Sequence, residues 1–183
     1  KPMKLLALLI FAITVYAILF GGSALFWRGQ FQASPVSPDE ETITMLFTGD
    51  IMLDRGVEFY ITQRNDWRFP FLKIAKTLRD ADLVFGNLES AISDKGENLG
   101  SIYSFRADPK TIEGLAFAGF DVLSVANNHS LDYGIEAFLD SLERLKEANI
   151  AYVGGGTNKE NAHSPVIKEI QGTKIGLLGY TNL

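Results

Sequence analysis

The 183 residues suffice for one membrane segment and one domain of ordinary size. A formal net charge of −5 and a pI near 5.1 argue against a nucleic-acid-binding protein, which normally presents a basic face. The sequence has no cysteine, which excludes disulfides, thiolate metal sites and cysteine nucleophiles. The chain starts at Lys1 rather than methionine and stops at Leu183 after a strand-like run, so we expect a fragment of a longer protein.

The amino-terminal stretch predicts a membrane anchor over residues 1–27. Residues 5–27 contain no charged side chain over 23 positions, which is long enough for a helix to cross a bilayer. Lys1 and Lys4 precede this stretch, so we expect a single-pass protein of the cell membrane whose amino end stays in the cytoplasm and whose domain faces outward. The alternative is a cleaved signal peptide with its cleavage site at residues 22–24.

Residues 28–41 predict a linker between membrane and domain. They are polar, contain Pro35 and Pro38 and end in an acidic run, a composition that buries too little surface to fold. We therefore place the domain at residues 42–183.

Strands and helices alternate through this domain. Apolar, partly β-branched runs predict strands at residues 43–48, 83–85, 122–125 and 150–153. Helical patterns follow the first strand, with an interruption at Pro70, and recur at residues 110–119 and 135–147, where apolar side chains from Ile135 to Leu145 form one stripe. Residues 90–109 read as a long polar loop, and residues 165–170 and 174–179 as a hairpin. This alternation predicts an α/β fold with a mainly parallel sheet covered on both faces.

Three successive strands end in polar clusters that suit metal or phosphate chemistry. Because the carboxyl ends of parallel strands lie together, we expect these clusters to converge. Carboxylate, amide and imidazole groups are ligands for Mg²⁺, Mn²⁺ or Zn²⁺, and such an ion lowers the pKa of a bound water. The clusters are Gly49-Asp50, then Asn87-Leu88-Glu89, then Asn127-Asn128-His129 together with Asp132.

Each of these residues also has an ordinary structural interpretation. Asp50 can cap the following helix, Glu89 can pair with a surface lysine, and Asp132 can shape its own turn. Together, these ordinary interpretations would require a coincidence at three strand ends, and we therefore favour a functional site. In that site His129 donates a proton to a leaving group or contacts a phosphate oxygen.

Two further features carry weaker signals. The glycine run at residues 154–156 can cradle a phosphate with backbone N–H groups, but it lacks the lysine of a Walker loop and favours a flexible connection. His163 lies in a polar stretch beside Pro165, and we interpret it as a surface residue.

Three motifs resemble the capsule-synthesis CapA family, also described as poly-γ-glutamate biosynthesis proteins and similar to calcineurin-like metallophosphoesterases. They are TGDIMLDRG at residues 48–56, FGNLES at residues 85–90 and ANNHSLDYG at residues 126–134. The resemblance covers about residues 43–183, and it implies a layered α/β/β/α sandwich, present here in part, with a metal site at the strand ends.

By position, the resemblance implies that Asp50, Asn87, Glu89 and Asn128 bind a divalent metal, with His129 and Asp132 in catalytic roles. Two positions depart from the metallophosphoesterase pattern. Met52 stands where those enzymes carry a histidine, and Asn87 corresponds roughly to their bridging aspartate.

Two functions follow as hypotheses. The first is a metal-dependent hydrolase that, when full length, acts on a phosphoester or related bond during capsule or poly-γ-glutamate synthesis. The second is a non-catalytic membrane component that binds the anionic polymer or other capsule synthesis and export proteins. The retained Asn128-His129 pair favours the first, and Met52 with Asn87 favours the second.

Overall fold

The computed structural model describes residues 42–182. The anchor predicted at residues 1–27 and the linker predicted at residues 28–41 lie outside these described residues. Within residues 42–182, no helix is both long enough and apolar enough to cross a bilayer.

The strands alternate with helices as the sequence predicts. In chain order the strands are β1 (Met45–Ile51), β2 (Leu83–Leu88), β3 (Ala91–Ile92), β4 (Arg106–Ala107), β5 (Val122–Ser124), β6 (Ala151–Val153), β7 (Val166–Ile170) and β8 (Thr173–Leu177). The helices are α1 (Arg55–Arg64), α2 (Ala75–Arg79), α3 (Thr111–Ala118), α4 (Gly134–Glu147) and α5 (Lys159–Ala162), and Pro70 lies in a short 3₁₀ turn, Phe69–Phe71.

The main sheet has four parallel strands in the order β1-β2-β5-β6. This confirms the α/β class and the parallel sheet. β7 and β8 form the predicted antiparallel hairpin. Gly119 ends α3 in a left-handed conformation, φ 86°, which glycine adopts without steric cost.

The helices cover one face of the sheet and bury the larger apolar cluster. Leu115 of α3 and Leu142 and Leu145 of α4 pack there against Val84 and Leu123 of the strands. The α4 stripe thus faces the core as predicted, except that Ile135 is 60% exposed and lines a surface groove with Leu131.

The hairpin covers part of the opposite face. Leu177 of β8 packs there with Leu83, Val122 and Val153, one residue from each of β2, β5 and β6. The two faces therefore bury separate apolar clusters.

The predicted polar loop at residues 90–109 contains unpredicted structure. β3 and β4 pair in parallel, and Ile92 and Ser93 are buried. The backbone N–H of Ile92 donates to Ser141 Oγ of α4 at 2.9 Å. Two-residue strands are too short to give a periodic signal, so their formation depends on this packing against α4.

Candidate functional site

Three strand ends meet at one edge of the main sheet. Asp50 lies beside Asn87 in the register of β1 and β2, and Asn87 lies beside Ser124 of β5. The register of β1 shifts between Phe47 and Asp50. Such irregularities re-aim side chains near the ends of strands, and this one brings the Asp50 carboxylate alongside the Asn87 amide.

The amide nitrogen of Asn87 joins two carboxylates. It donates to Asp50 Oδ1 at 2.8 Å and to Glu89 Oε2 at 2.5 Å. Two acidic side chains that are 39 positions apart in sequence therefore converge on a single nitrogen atom.

Asn127 sets the orientation of this group. Its Nδ2 donates to Asn87 Oδ1 at 3.0 Å and to the carbonyl of Leu88 at 2.8 Å. Its Oδ1 accepts from the backbone N–H of His129 at 3.0 Å and from the Ser130 hydroxyl at 3.1 Å. Because both ends of the Asn127 amide are occupied in this way, Asn87 must turn its oxygen toward Asn127 and its NH₂ toward the carboxylates.

His129 lies between two carboxylates. Its Nδ1 is 2.7 Å from Asp132 Oδ2, and its Nε2 is 3.8 Å from Glu89 Oε1. Asp132 is buried and also accepts the backbone N–H of Phe105 at 2.8 Å. The Phe105 ring packs on the imidazole, with 4.4 Å between the ring centroids. These contacts hold the imidazole with Nε2 directed at Glu89.

The environment raises the pKa of Glu89. Burial disfavours its charged form, and the neighbouring carboxylate of Asp50 acts in the same direction. The hydrogen bond from Asn87 and the charge of His129 oppose this shift without cancelling it. The Glu89 carboxylate is therefore less stable in its charged form than it would be in water, mainly because it is partly buried.

The remaining candidates lie around this network. Asn128 is exposed and lines the groove beside Leu131 and Ile135. Met52 turns its sulfur toward the backbone N–H of Asp54, at 3.3 Å. His163 is exposed and lies 5.6 Å from the Tyr180 ring.

The glycine run packs tightly. A Cβ at Gly154 would lie 2.4 Å from Ala126 Cβ, and one at Gly155 would lie 2.6 Å from Phe138 and Val125. These glycines therefore allow the loop to approach β5 and α4 closely.

Asn127 is the member of the network that the sequence analysis left out of the site. The sequence places it in the polar cluster after β5 that suits metal or phosphate binding, but does not predict that it orients Asn87 and His129. The available signal is the Asn-x-His spacing, because an asparagine side chain often accepts the backbone N–H two residues later.

The donor set of the site is rich in oxygen. Among residues 42–182, no three histidine or acidic side chains are already grouped as metal ligands. Two carboxylates nevertheless share one hydrogen-bond donor, and an imidazole nitrogen lies next to one of them. Hard oxygen donors of this kind suit a divalent cation, which would take over the role of the shared donor.

Comparison with known proteins identifies the family. Residues 44–183 match the family model described as bacterial capsule synthesis protein PGA_cap. The chain is 33% identical over 165 residues to the capsule biosynthesis protein CapA of Bacillus anthracis, covering 87% of this chain and 40% of that protein. It is 26% identical over 173 residues to the PGA biosynthesis protein CapA of Bacillus subtilis, covering 92% of this chain and 44% of the relative.

A third relative is a probable polyglutamine synthesis accessory protein of Mycobacterium tuberculosis, 30% identical over 150 residues, which cover 79% of this chain and 40% of the relative. The chain thus spans less than half the length of these relatives. The family match covers most of the described residues, including all three strand ends of the site. The chain belongs to the bacterial capsule synthesis protein PGA_cap family.

Proposed function

We propose that this chain acts in capsule or poly-γ-glutamate synthesis and carries a metal-dependent hydrolytic site at the ends of β1, β2 and β5. The observation that carries the proposal is the position of His129 between Asp132 and Glu89, next to the Asp50–Asn87 pair. The assignment to capsule or poly-γ-glutamate synthesis is supported by the names of the CapA relatives.

In this proposal the His129–Asp132 pair handles the proton. A carboxylate only accepts hydrogen bonds, so Asp132 holds the proton on Nδ1 and leaves Nε2 as the nitrogen that faces the site. Protonated at Nε2, His129 delivers that proton to the leaving oxygen. The bond from phosphorus to that oxygen breaks, while a bond from phosphorus to the oxygen of water forms and that water releases one proton to solvent.

Asp50 and Glu89 would hold a divalent ion, Mn²⁺, Mg²⁺ or Zn²⁺, with Asn128 and the Asn87 amide as further candidate ligands. Burial and, after it, the neighbouring Asp50 carboxylate raise the pKa of Glu89, and a bound cation would favour its charged form against both. When bound, such an ion lowers the pKa of a water molecule and polarises a phosphoryl oxygen.

A second candidate is a non-catalytic component that binds the anionic polymer or other capsule synthesis and export proteins. Met52 favours it, since its sulfur contacts the backbone of Asp54 at a position where metallophosphoesterases carry a histidine. The metal content of the purified chain separates the two candidates, because a stoichiometric ion fits catalysis and its absence fits the binding role.

We further propose that residues 1–27 anchor the chain, that residues 28–41 link the anchor to the domain and that the domain faces outside the cytoplasm. The uncharged stretch of 23 residues supports this arrangement. The same proposal takes the four-stranded sheet and the hairpin as parts of a layered α/β/β/α sandwich.

The test is hydrolysis of bis(4-nitrophenyl) phosphate by the full-length protein with each candidate ion. His129→Ala is expected to lower kcat by about a hundredfold or more, because general acid catalysis is lost. His163→Ala is the matched control, since this second and last histidine is exposed and outside the network. Equal losses in both variants, or a full-length wild-type protein without metal-dependent turnover, would contradict the hydrolase proposal.

A further inference from the structure

Arg55 lies next to the site, separated from it by one aromatic ring. The Arg55 guanidinium carbon is 4.8 Å from the centroid of the Phe105 ring, and the same ring packs on His129 at 4.4 Å. Tyr103 adds a second aromatic contact at 5.7 Å. The guanidinium is therefore held at the rim of the site by aromatic contacts.

The charge of Arg55 is not used within the described domain. In residues 42–182, its guanidinium forms no ion pair with a carboxylate, although the residue is exposed. Arg106, the neighbouring cation, is used differently, because its guanidinium donates to the carbonyls of Lys95 and Gly96. Arg55 is thus a cation beside the site whose hydrogen-bond donors face solvent.

The backbone at Arg55 points to a use for the side chain. Its φ is 53°, in the left-handed region that glycine or asparagine adopts with less steric cost. Asp54 holds this conformation by accepting the backbone N–H of Arg55 at 2.6 Å and that of Arg106 at 2.9 Å. The backbone turn would be made at lower cost by glycine or asparagine. The arginine is therefore better explained by its guanidinium, which lies at the rim of the site.

The carboxylates of the site disfavour an anionic substrate, and a cation at the rim would reduce that repulsion. Glu89 and Asp132 flank His129, Asp50 shares the Asn87 amide with Glu89, and the chain as a whole carries −5. A phosphoester or a polyglutamate chain approaching this edge is repelled unless a positive group offsets that field. A guanidinium matches both anions, because its donors bind carboxylate or phosphate oxygens in pairs.

We infer that Arg55 is a substrate-binding residue that recognises an oxyanion of the substrate, a carboxylate or a phosphate, beside the His129 site. This inference rests on the proposed function and adds the recognition element to it. Phe105 and Tyr103 position the guanidinium, and His129 contacts the same Phe105 ring.

The experiment compares Arg55→Gln with Arg64→Gln in the full chain. Arg64 is the matched control because it is exposed in the last turn of the same helix and also stacks on aromatic rings, 4.1 Å from Phe69 and 5.5 Å from Tyr60. Binding of a γ-linked glutamate oligomer is measured by calorimetry at low and high salt, and KM and kcat are measured with bis(4-nitrophenyl) phosphate.

Arg55→Gln is expected to raise Kd for the oligomer, or KM for the phosphodiester, about tenfold, with kcat within about twofold and a weaker salt dependence. A change confined to Kd identifies carboxylate as the recognised group, and a change confined to KM identifies phosphate. Arg55→Lys is expected to restore part of the affinity, because it keeps the charge without the planar stack.

A merely structural role gives a different pattern. It predicts a lower melting temperature for Arg55→Gln with unchanged Kd and KM, and that result overturns the inference. Arg55→Gly, which suits φ 53°, keeps the test available if the glutamine variant unfolds. If the wild-type chain neither binds the oligomer nor hydrolyses the phosphodiester, both the proposed function and this inference are contradicted. If the wild-type chain does bind or hydrolyse and Arg55→Gln does so equally well, this inference alone is contradicted.

Discussion

Individual amide groups decide the geometry of the site. Asn127 makes four hydrogen bonds, to Asn87, Leu88, His129 and Ser130, and it is only partly exposed. The adjacent Asn128 is exposed and makes no comparable set of contacts within the described residues. The two neighbouring asparagines therefore have different roles, although their side chains are identical.

Asn127→Ala is expected to lower the free energy of unfolding by about 1–3 kcal/mol, because Leu88, His129 and Asn87 each lose a partner. Urea denaturation of the full chain measures this change. Asn128→Ala is the control and is expected to change stability by no more than about 0.5 kcal/mol, as at most exposed positions. Equal effects of the two substitutions would show that Asn127 does not organise the loop.

At the scale of elements, an ion-pair network ties the segment after β3 to α4. Asp140 of α4 accepts from Ser93 at 2.6 Å, from Lys95 at 2.8 Å and from Arg144 at 2.8 Å, and its side chain is 9% exposed. Burial favours the neutral acid, but these hydrogen bonds outweigh it and lower the pKa of Asp140 from an ordinary 3.8 to about 2. This network holds the segment that leads to β4 and Phe105.

The shifted pKa predicts a contribution to acid stability. Because the folded pKa of Asp140 lies below the unfolded value, its contribution is fully present above about pH 4 and is lost as the pH falls toward 2. The expected size is about 2 kcal/mol, from about 1.4 kcal/mol per pKa unit. Urea unfolding at several pH values between 7 and 2 measures it.

In that experiment Asp140→Asn is expected to flatten the loss of stability between pH 4 and pH 2 relative to wild type. Asp66→Asn serves as the control, since Asp66 and its partner Arg68 are 25% and 46% exposed and pairs near the surface contribute little. If the free energy of unfolding of Asp140→Asn falls between pH 4 and pH 2 as steeply as that of the wild type, the role assigned to this network is contradicted.

At the scale of the whole domain, the parallel sheet has an apolar cluster on each face. The helices bury one cluster, and the hairpin of β7 and β8 covers part of the other through Leu177, which is 8% exposed. Gly179, two residues beyond Leu177, packs against Ser124 and Val153. The hairpin thereby also supports the strands whose ends carry the site.

Leu177→Ala is expected to destabilise the domain by about 2–4 kcal/mol, because it leaves a cavity against Leu83, Val122 and Val153. The neighbouring Leu178 is 52% exposed, so Leu178→Ala is expected to cost less than about 1 kcal/mol. Thermal and urea unfolding of both variants measure the difference. Similar losses at the two positions would mean that the hairpin does not pack as described.

Much of the secondary structure follows from local sequence. β2 and β5 form from short apolar runs, and α4 forms from a stripe of apolar residues at helical spacing. Both patterns can be recognised within one short segment. β3 and β4 gave no such signal, because two residues form a strand only when another element packs against them. Ile135, in the first turn of α4, is exposed although it belongs to the apolar stripe, because no other element of the described domain packs over it. This also depends on tertiary structure and not on local sequence.

The sequence by itself determined the alternation of strands and helices, the parallel sheet and the polar side chains that follow β1, β2 and β5, because each of these follows from residue type and spacing. Only the tertiary structure decided which atoms meet. The Asn87–Asp50 and Asn127–Asn87 hydrogen bonds join residues 37 and 40 positions apart, and they depend on strand register and on a shift within β1. The role of Asn127 and the position of Arg55 beside Phe105 are of this kind, since each requires segments whose contact no local pattern encodes.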